Sequence, residues 1–142
     1  MRPTKDLDTT ETFWVEGVGL EALWRNDHPH AGEHALLMVG VAGAVWHLEI
    51  VDDPAAAAES RPSAEDLLVL YLGESADPQW VDRICAHGGT VVPSRNPYWD
   101  QWGVTIKDPD GHLLVLSHRT WGPRTTVTPV PSQRVRGDGV PR

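Results

Sequence analysis

Two ionisable side chains, His47 and Glu49 in the run AVWHLEIV, are the pairing with the clearest chemical capacity in this sequence. Alternate side chains of an extended strand share a face, so imidazole and carboxylate stand side by side. Such a pair can exchange a proton with a bound substrate, offer donors to a divalent cation, or contact a ligand while bonding to each other. A carboxylate facing a hollow without partners has its pKa raised, whereas a carboxylate beside an imidazole favours the charged ring. Proton transfer and simple ligand contact both stay open at this level.

The remaining reactive residues are less organised. The segment HPHAGEH holds His28, His30, Glu33 and His34, but its spacing falls one or two residues short of a metal-binding His-x-His…Glu motif and no companion motif follows. It reads as a solvated connection. Cys85 is the single cysteine and sits within a helical pattern, which excludes a disulfide framework and makes a reducing cytoplasm the expected compartment. His87, His112 and His118 fall at a helix end, a turn and a far strand face, where surface roles are expected.

Seven tryptophans against one phenylalanine and two tyrosines favour large flat faces with a polar handle. Trp14 and Trp80 belong to helical stripes and are core candidates. Trp46 alternates away from His47 and Glu49 and is expected under a helix. Trp24, at a strand end, and Tyr98, Trp99 and Trp102, in one loop, are candidates for stacking on a planar or cationic ligand, each worth ~0.5 to 2 kcal/mol, or for sealing the loop.

Charge narrows the partners. Residues 1–121 carry 8 Lys/Arg against 19 Asp/Glu, while residues 122–142 carry 4 against 1. An acidic body argues against nucleic acid and favours neutral or cationic ligands. The N-terminal run lacks the apolar core of a signal peptide, and no stretch approaches the ~20 apolar residues of a membrane span. The segment from Gly122 onward holds four prolines without apolar periodicity and is expected to be a disordered tail.

These residues must be positioned by a repeated unit. A Pro-, Ala- and acid-rich linker over residues 52–66 divides the chain. Before it, Asp8 or Thr9 can cap a helix bearing Phe13, Trp14, Gly17 and Val18, which Gly19 stops. After it, Ser75 or Asp77 can cap a helix bearing Trp80, Val81, Ile84 and Cys85, which Gly88 stops. Each one-sided helix must lie on a sheet. The period then changes from 3.6 to 2 for strands at 20–24, 35–39 and 45–51, and again at 90–93, 103–107 and 112–118. Residues 67–72 form a strand before the second helix, and only 1–4 remain for its counterpart. One helix followed by three strands thus occurs twice.

The opening DLDTTETFWVEGVGLEALWR, the strand AVWHLEIV and above all NPYWDQWGVTIKDPDGHLLVL resemble the vicinal-oxygen-chelate superfamily, of the glyoxalase, bleomycin-resistance and dioxygenase type. The resemblance spans residues 2–121. It implies an α+β fold of two tandem βαβββ modules (1–51 and 67–121) whose curved mixed sheets surround a small-molecule cavity.

Enzymes of that family hold a divalent metal with ligands on the first, fourth, fifth and eighth strands. By the resemblance Glu49 matches the fourth-strand ligand, with His47 one step along the same wall. The first-strand position falls before the start of the sequence, the fifth near Asp66 or Leu67, and the eighth on Val115. Trp24, Tyr98, Trp99 and Trp102 fall at the implied cavity rim. The expectation is a metal-free domain that binds or sequesters a small molecule, as a homodimer. The alternative is a divalent-metal glyoxalase, lyase or extradiol dioxygenase using Glu49 and His47.

Overall fold

The computed structural model describes residues 1–122. The expected tail from Gly122 therefore lies, apart from Gly122 itself, outside the described residues. Two four-stranded mixed sheets are present, ordered β1-β4-β3-β2 and β5-β8-β7-β6. The first comprises β1 (Arg2–Thr4), β2 (Glu21–Asn26), β3 (Leu36–Gly40) and β4 (His47–Asp52). The second comprises β5 (Leu67–Tyr71), β6 (Thr90–Val91), β7 (Gly103–Lys107) and β8 (Leu113–Ser117). In each module the first strand runs parallel to the last, and the other pairings are antiparallel.

Helix α1 (Leu7–Glu11) continues as a wider π-helical segment (Thr12–Val18) that buries Phe13, Trp14, Gly17 and Val18, the stripe expected from the sequence. Its cap is Asp6, not Asp8 or Thr9. Asp6 has extended backbone and its carboxylate accepts from Thr9 N at 2.7 Å, whereas Asp8 lies inside the helix and pairs with Arg25. Gly19, at φ 89°, ends the segment in a left-handed geometry that side chains resist. Helix α3 (Pro78–Ala86) starts at Asp77, whose carboxylate accepts from Gln79 N at 2.8 Å, and buries Ile84.

Two stretches read as irregular are helical. The linker holds α2 (Pro54–Glu59), because Asp53 caps it through Ala56 N and four consecutive alanines are strong helix formers. The NPYW loop holds α4 (Pro97–Trp102), capped by Asn96 on Tyr98 N at 3.0 Å with Pro97 in its first turn.

One core joins the modules. Leu37, Val39 and Ile50 of the first sheet and Ile106, Leu114 and Leu116 of the second meet around Phe13, Trp14 and Ile84. Contact between the two helices is close, since a Cβ at Gly17 would lie 3.3 Å from the Ile84 Cα. Carbonyls at the end of the π-helical segment have no intrahelical partner, and α3 supplies donors for them. Trp80 Nε1 donates to Val18 O at 2.9 Å and Arg83 Nε to Gly17 O at 3.0 Å.

Candidate functional site

Alternation separates the two faces of each sheet. Leu37, Val39 and Ile50 point into the core, so Met38, His47 and Glu49 occupy the opposite, free face. His47 Nε2 and Glu49 Oε1 are 3.1 Å apart, and their side chains are 44% and 35% exposed. The pair is thus hydrogen-bonded, as its spacing predicts, and open to solvent. Met38 lies opposite Glu49, and Trp24 lies opposite Met38. Trp24 reaches this face because a bulge between Ala22 and Trp24 inserts Leu23 and shifts the register. A row of Trp24, Met38 and Glu49 therefore crosses three strands.

The other candidates form a second group. In α4, Tyr98 and Trp99 meet edge to face at 5.0 Å, and Trp99 meets Tyr71 at 6.4 Å. Trp102 lies with its ring 5.3 Å from His118 and with the Arg119 guanidinium 4.6 Å over it. The Ser117 hydroxyl and His118 N both donate to Trp102 O, so α4 is fastened to β8. Thr105, Val115 and Ser117 are buried although they face away from the core, because α4 and the strap before it cover that side. Among the described residues no hydrogen bond or ring contact joins the α4 group to the Trp24, His47 and Glu49 group.

One position corrects the sequence reading. Trp46 is not under a helix; it precedes β4 and is exposed beside an apolar groove of about 460 Å³ with Leu20, Val41, Val69 and Tyr71. On β5 the residue level with Val115 is Val69. His112 is half-buried, with its Nε2 out of solvent and without a hydrogen-bond partner.

Whether a divalent metal fits can be judged from the donors. Glu49 and His47 offer two. The strand register continued one step places Met1 beside Glu49, and the equivalent positions of the second sheet are Val69 and Val115. Among the described residues no three His, Cys, Asp or Glu side chains group to hold a metal ion. A chelate site of the usual three or four donors does not fit this set.

The YycE-like C-terminal domain family matches residues 65–118. The uncharacterised protein YycE of Bacillus subtilis is 34% identical over 116 residues, covering 81% of this chain and 82% of that protein. This chain belongs to the YycE-like family, and with it to the vicinal-oxygen-chelate superfamily. The crystal structure of a YycE protein of unknown function from Bacillus subtilis superposes with a TM-score of 0.70 at 27% identity, over 87% of this chain and 92% of that one. Two more distant members share the fold. Leishmania major glyoxalase I has a TM-score of 0.63 at 18% identity over 82% of each chain. The fosfomycin resistance protein FosX of Mesorhizobium loti has a TM-score of 0.61 at 14% identity, over 84% of this chain and 89% of that one.

In this YycE-like chain, then, the superfamily's fold is kept, and the residues level with Glu49 and Val115 on the neighbouring parallel strands are apolar. Sequence reasoning singled out Glu49 and Val115. It did not name Met38 or Val69, whose places beside them emerge only from strand pairing. No helix among the described residues is long and apolar enough to cross a membrane.

Proposed function

We propose that this chain binds a small molecule bearing a planar or cationic group on the free face of its first sheet, and does so without a resident divalent metal. The row of Trp24, Met38 and Glu49 with the His47–Glu49 hydrogen bond carries this reading. Trp24 offers a stacking surface, Met38 an adaptable apolar contact and Glu49 a counter-charge. The acidic body adds long-range attraction for a cation and disfavours nucleic acid.

A homodimer suits this site, because an open sheet face excludes water only when something covers it. Val41, Val45, Trp46 and Tyr71 are exposed together near the module junction and supply apolar surface for a second copy. A reducing, cytoplasmic setting accords with the single free cysteine. A fosfomycin resistance protein of the same fold, FosX of Listeria monocytogenes, is known in complex with Mn(II). The donors on this chain's strands favour retention of the ligand over chemistry on such an ion.

Titration of intrinsic tryptophan fluorescence with ethidium and bleomycin, against an anionic naphthalene sulfonate, tests the reading. Saturable quenching by a cationic compound, weakened about tenfold in Glu49→Gln and in Trp24→Ala, is expected. Absence of quenching by either compound, or quenching that Glu49→Gln leaves intact, overturns it.

A further inference from the structure

A second concavity lies at the junction of the modules, away from the His47–Glu49 face. It is a groove of about 580 Å³ bounded by Arg2, Arg61, Glu65, Asp66 and His112. Arg2 stands on β1, and its side chain is only 21% exposed. A guanidinium has five N–H donors in a planar fork, and those of Arg2 keep access to solvent at the groove. Among the described residues none makes a hydrogen bond. The Asp108 carboxylate, 3.9 Å from Arg2 Nη1, lies beyond hydrogen-bond range. Burial also pushes the Asp108 carboxyl up toward its neutral form, which weakens its hold on Arg2.

His112 forms the adjoining wall. Its Nε2 has no partner, and burial holds the ring below the usual histidine range, so at neutral pH it adds no positive charge to the groove. The fork of Arg2 presents its donors to the groove, a geometry that suits a group with two acceptor oxygens. Glu65 and Asp66 line the same groove, with the Asp66 charge felt at Arg2. Asp66 Oδ2 accepts from Ser63 N at 2.6 Å, which fixes the carboxylate at the groove. A simple anion would meet these two acids. A molecule with a cationic end would pair with them.

We propose that this groove is a binding site for a small zwitterion of amino-acid type, with its carboxylate on Arg2 and its ammonium toward Glu65 and Asp66. Each end meets a side chain of opposite sign, and the groove has room for a chain of a few carbons between them. The site draws Arg2 from the first module, His112 from the second, and Arg61, Glu65 and Asp66 from the linker between them. Occupancy thus bridges the modules.

Glycine, β-alanine and γ-aminobutyrate set three spacings between the charged ends, with butyrate and butylamine as single-charge controls. The readout is the NMR signal of the Arg2 Nε–H and the His112 ring in the 142-residue chain. A saturable shift with at least one of the three zwitterions is expected, with butyrate and butylamine weaker by about tenfold or more. Arg2→Gln should abolish that response and Asp66→Asn should weaken it, with the His112 signal as reporter in both. Should either variant misfold by circular dichroism, Arg61→Gln and Glu65→Gln, at exposed positions, provide the paired weakening instead. Saturation with none of the three, or equal binding of butyrate, overturns the proposal.

Discussion

The Asp110 carboxylate and the Thr10 hydroxyl, 100 positions apart, are joined by a 3.1 Å hydrogen bond in which Thr10 donates to Asp110 Oδ2. The other carboxylate oxygen accepts from Lys5 N at 3.1 Å. The hydroxyl of Thr10 also meets that of Thr4 at 2.6 Å, with both residues buried. The Asp-Pro-Asp-Gly turn of the second module thereby clamps the join of β1 and α1 in the first. Asp110→Ala leaves the Thr10 hydroxyl and Lys5 N–H short of an acceptor, at an expected cost of ~1 to 3 kcal/mol. Urea unfolding checks this: the midpoint should fall with little change in slope, and a loss below ~0.5 kcal/mol would mean that the clamp contributes nothing.

Beside that clamp two buried groups give opposite pH dependences. Burial raises the carboxyl of Asp108 above its ordinary value, so its neutral form is favoured in the folded chain. Its contribution is most favourable below the unfolded pKa of ~3.9 and is lost as pH rises through the folded value. Burial lowers His112, so the neutral ring is favoured. Its contribution is present above the unfolded pKa of ~6.5 and is lost as pH falls through the folded one. An asparagine at 108 keeps an oxygen for the Asp110 and His112 N–H groups that Asp108 Oδ1 now accepts. Asp108→Asn is thus expected to match or exceed the wild type in stability at pH 7, with the advantage vanishing below pH ~4. Thermal melts across pH decide the matter; a variant much less stable at pH 7 shows that the Arg2–Asp108 ion pair outweighs the burial.

Much of this architecture is written in local pattern. Phe13, Trp14, Gly17 and Val18 declare a buried helical stripe whatever the backbone does in detail, and β7 lies on the span its alternation predicts. The Asp6 cap was illegible because three capping residues, Asp6, Asp8 and Thr9, crowd the same turn, and only the tertiary pairing of Asp8 with Arg25 separates them. His47 and Glu49 were legible as a pair because strand periodicity alone fixes their common face. Trp24, by contrast, owes its position to an inserted residue, and Val69 to pairing with a strand more than forty positions away. Arg2 and His112 are isolated polar residues in sequence, and nothing local signals that they share a groove.

Gly103 begins β7 at φ 178°, extended backbone open to any residue, so conformational freedom is not what it provides. Space is. A Cβ there would sit 2.5 Å from the Leu116 carbonyl oxygen, and the neighbour is sheet backbone that cannot rotate away. Gly103→Ala is expected to lose ~1 to 3 kcal/mol, by analogy with overpacked cores, and to loosen α4 from β8. Gly17→Ala, with contacts at 3.2 and 3.3 Å, should cost less. Denaturant midpoints for the two variants rank them, and hydrogen exchange at His118 N, which donates to Trp102 O, should quicken only in Gly103→Ala. Equal destabilisation by both would refute the close approach at Leu116 as the cause.

Val45 is the most exposed apolar side chain described, at 105% of its reference area, on the turn joining β3 to β4. On the same turn Val41 and Trp46 are also exposed, and with the exposed Tyr71 they line an apolar groove that runs along β5, an unpaired edge. A contiguous patch of this kind beside a free edge is unfavourable in an isolated chain and is relieved by burial against a second copy. If the proposed dimer forms there, Val45→Glu places a charge in its apolar interior while removing no contact from the folded monomer. Sedimentation should then show a wild-type dimer at micromolar concentration and a dissociation constant raised about tenfold or more in the variant, with unfolding curves of the separated monomers unchanged. A wild type that stays monomeric, or a Val45→Glu protein that dimerises as tightly, places the contact elsewhere and leaves the Trp24–Glu49 face to be closed by other means.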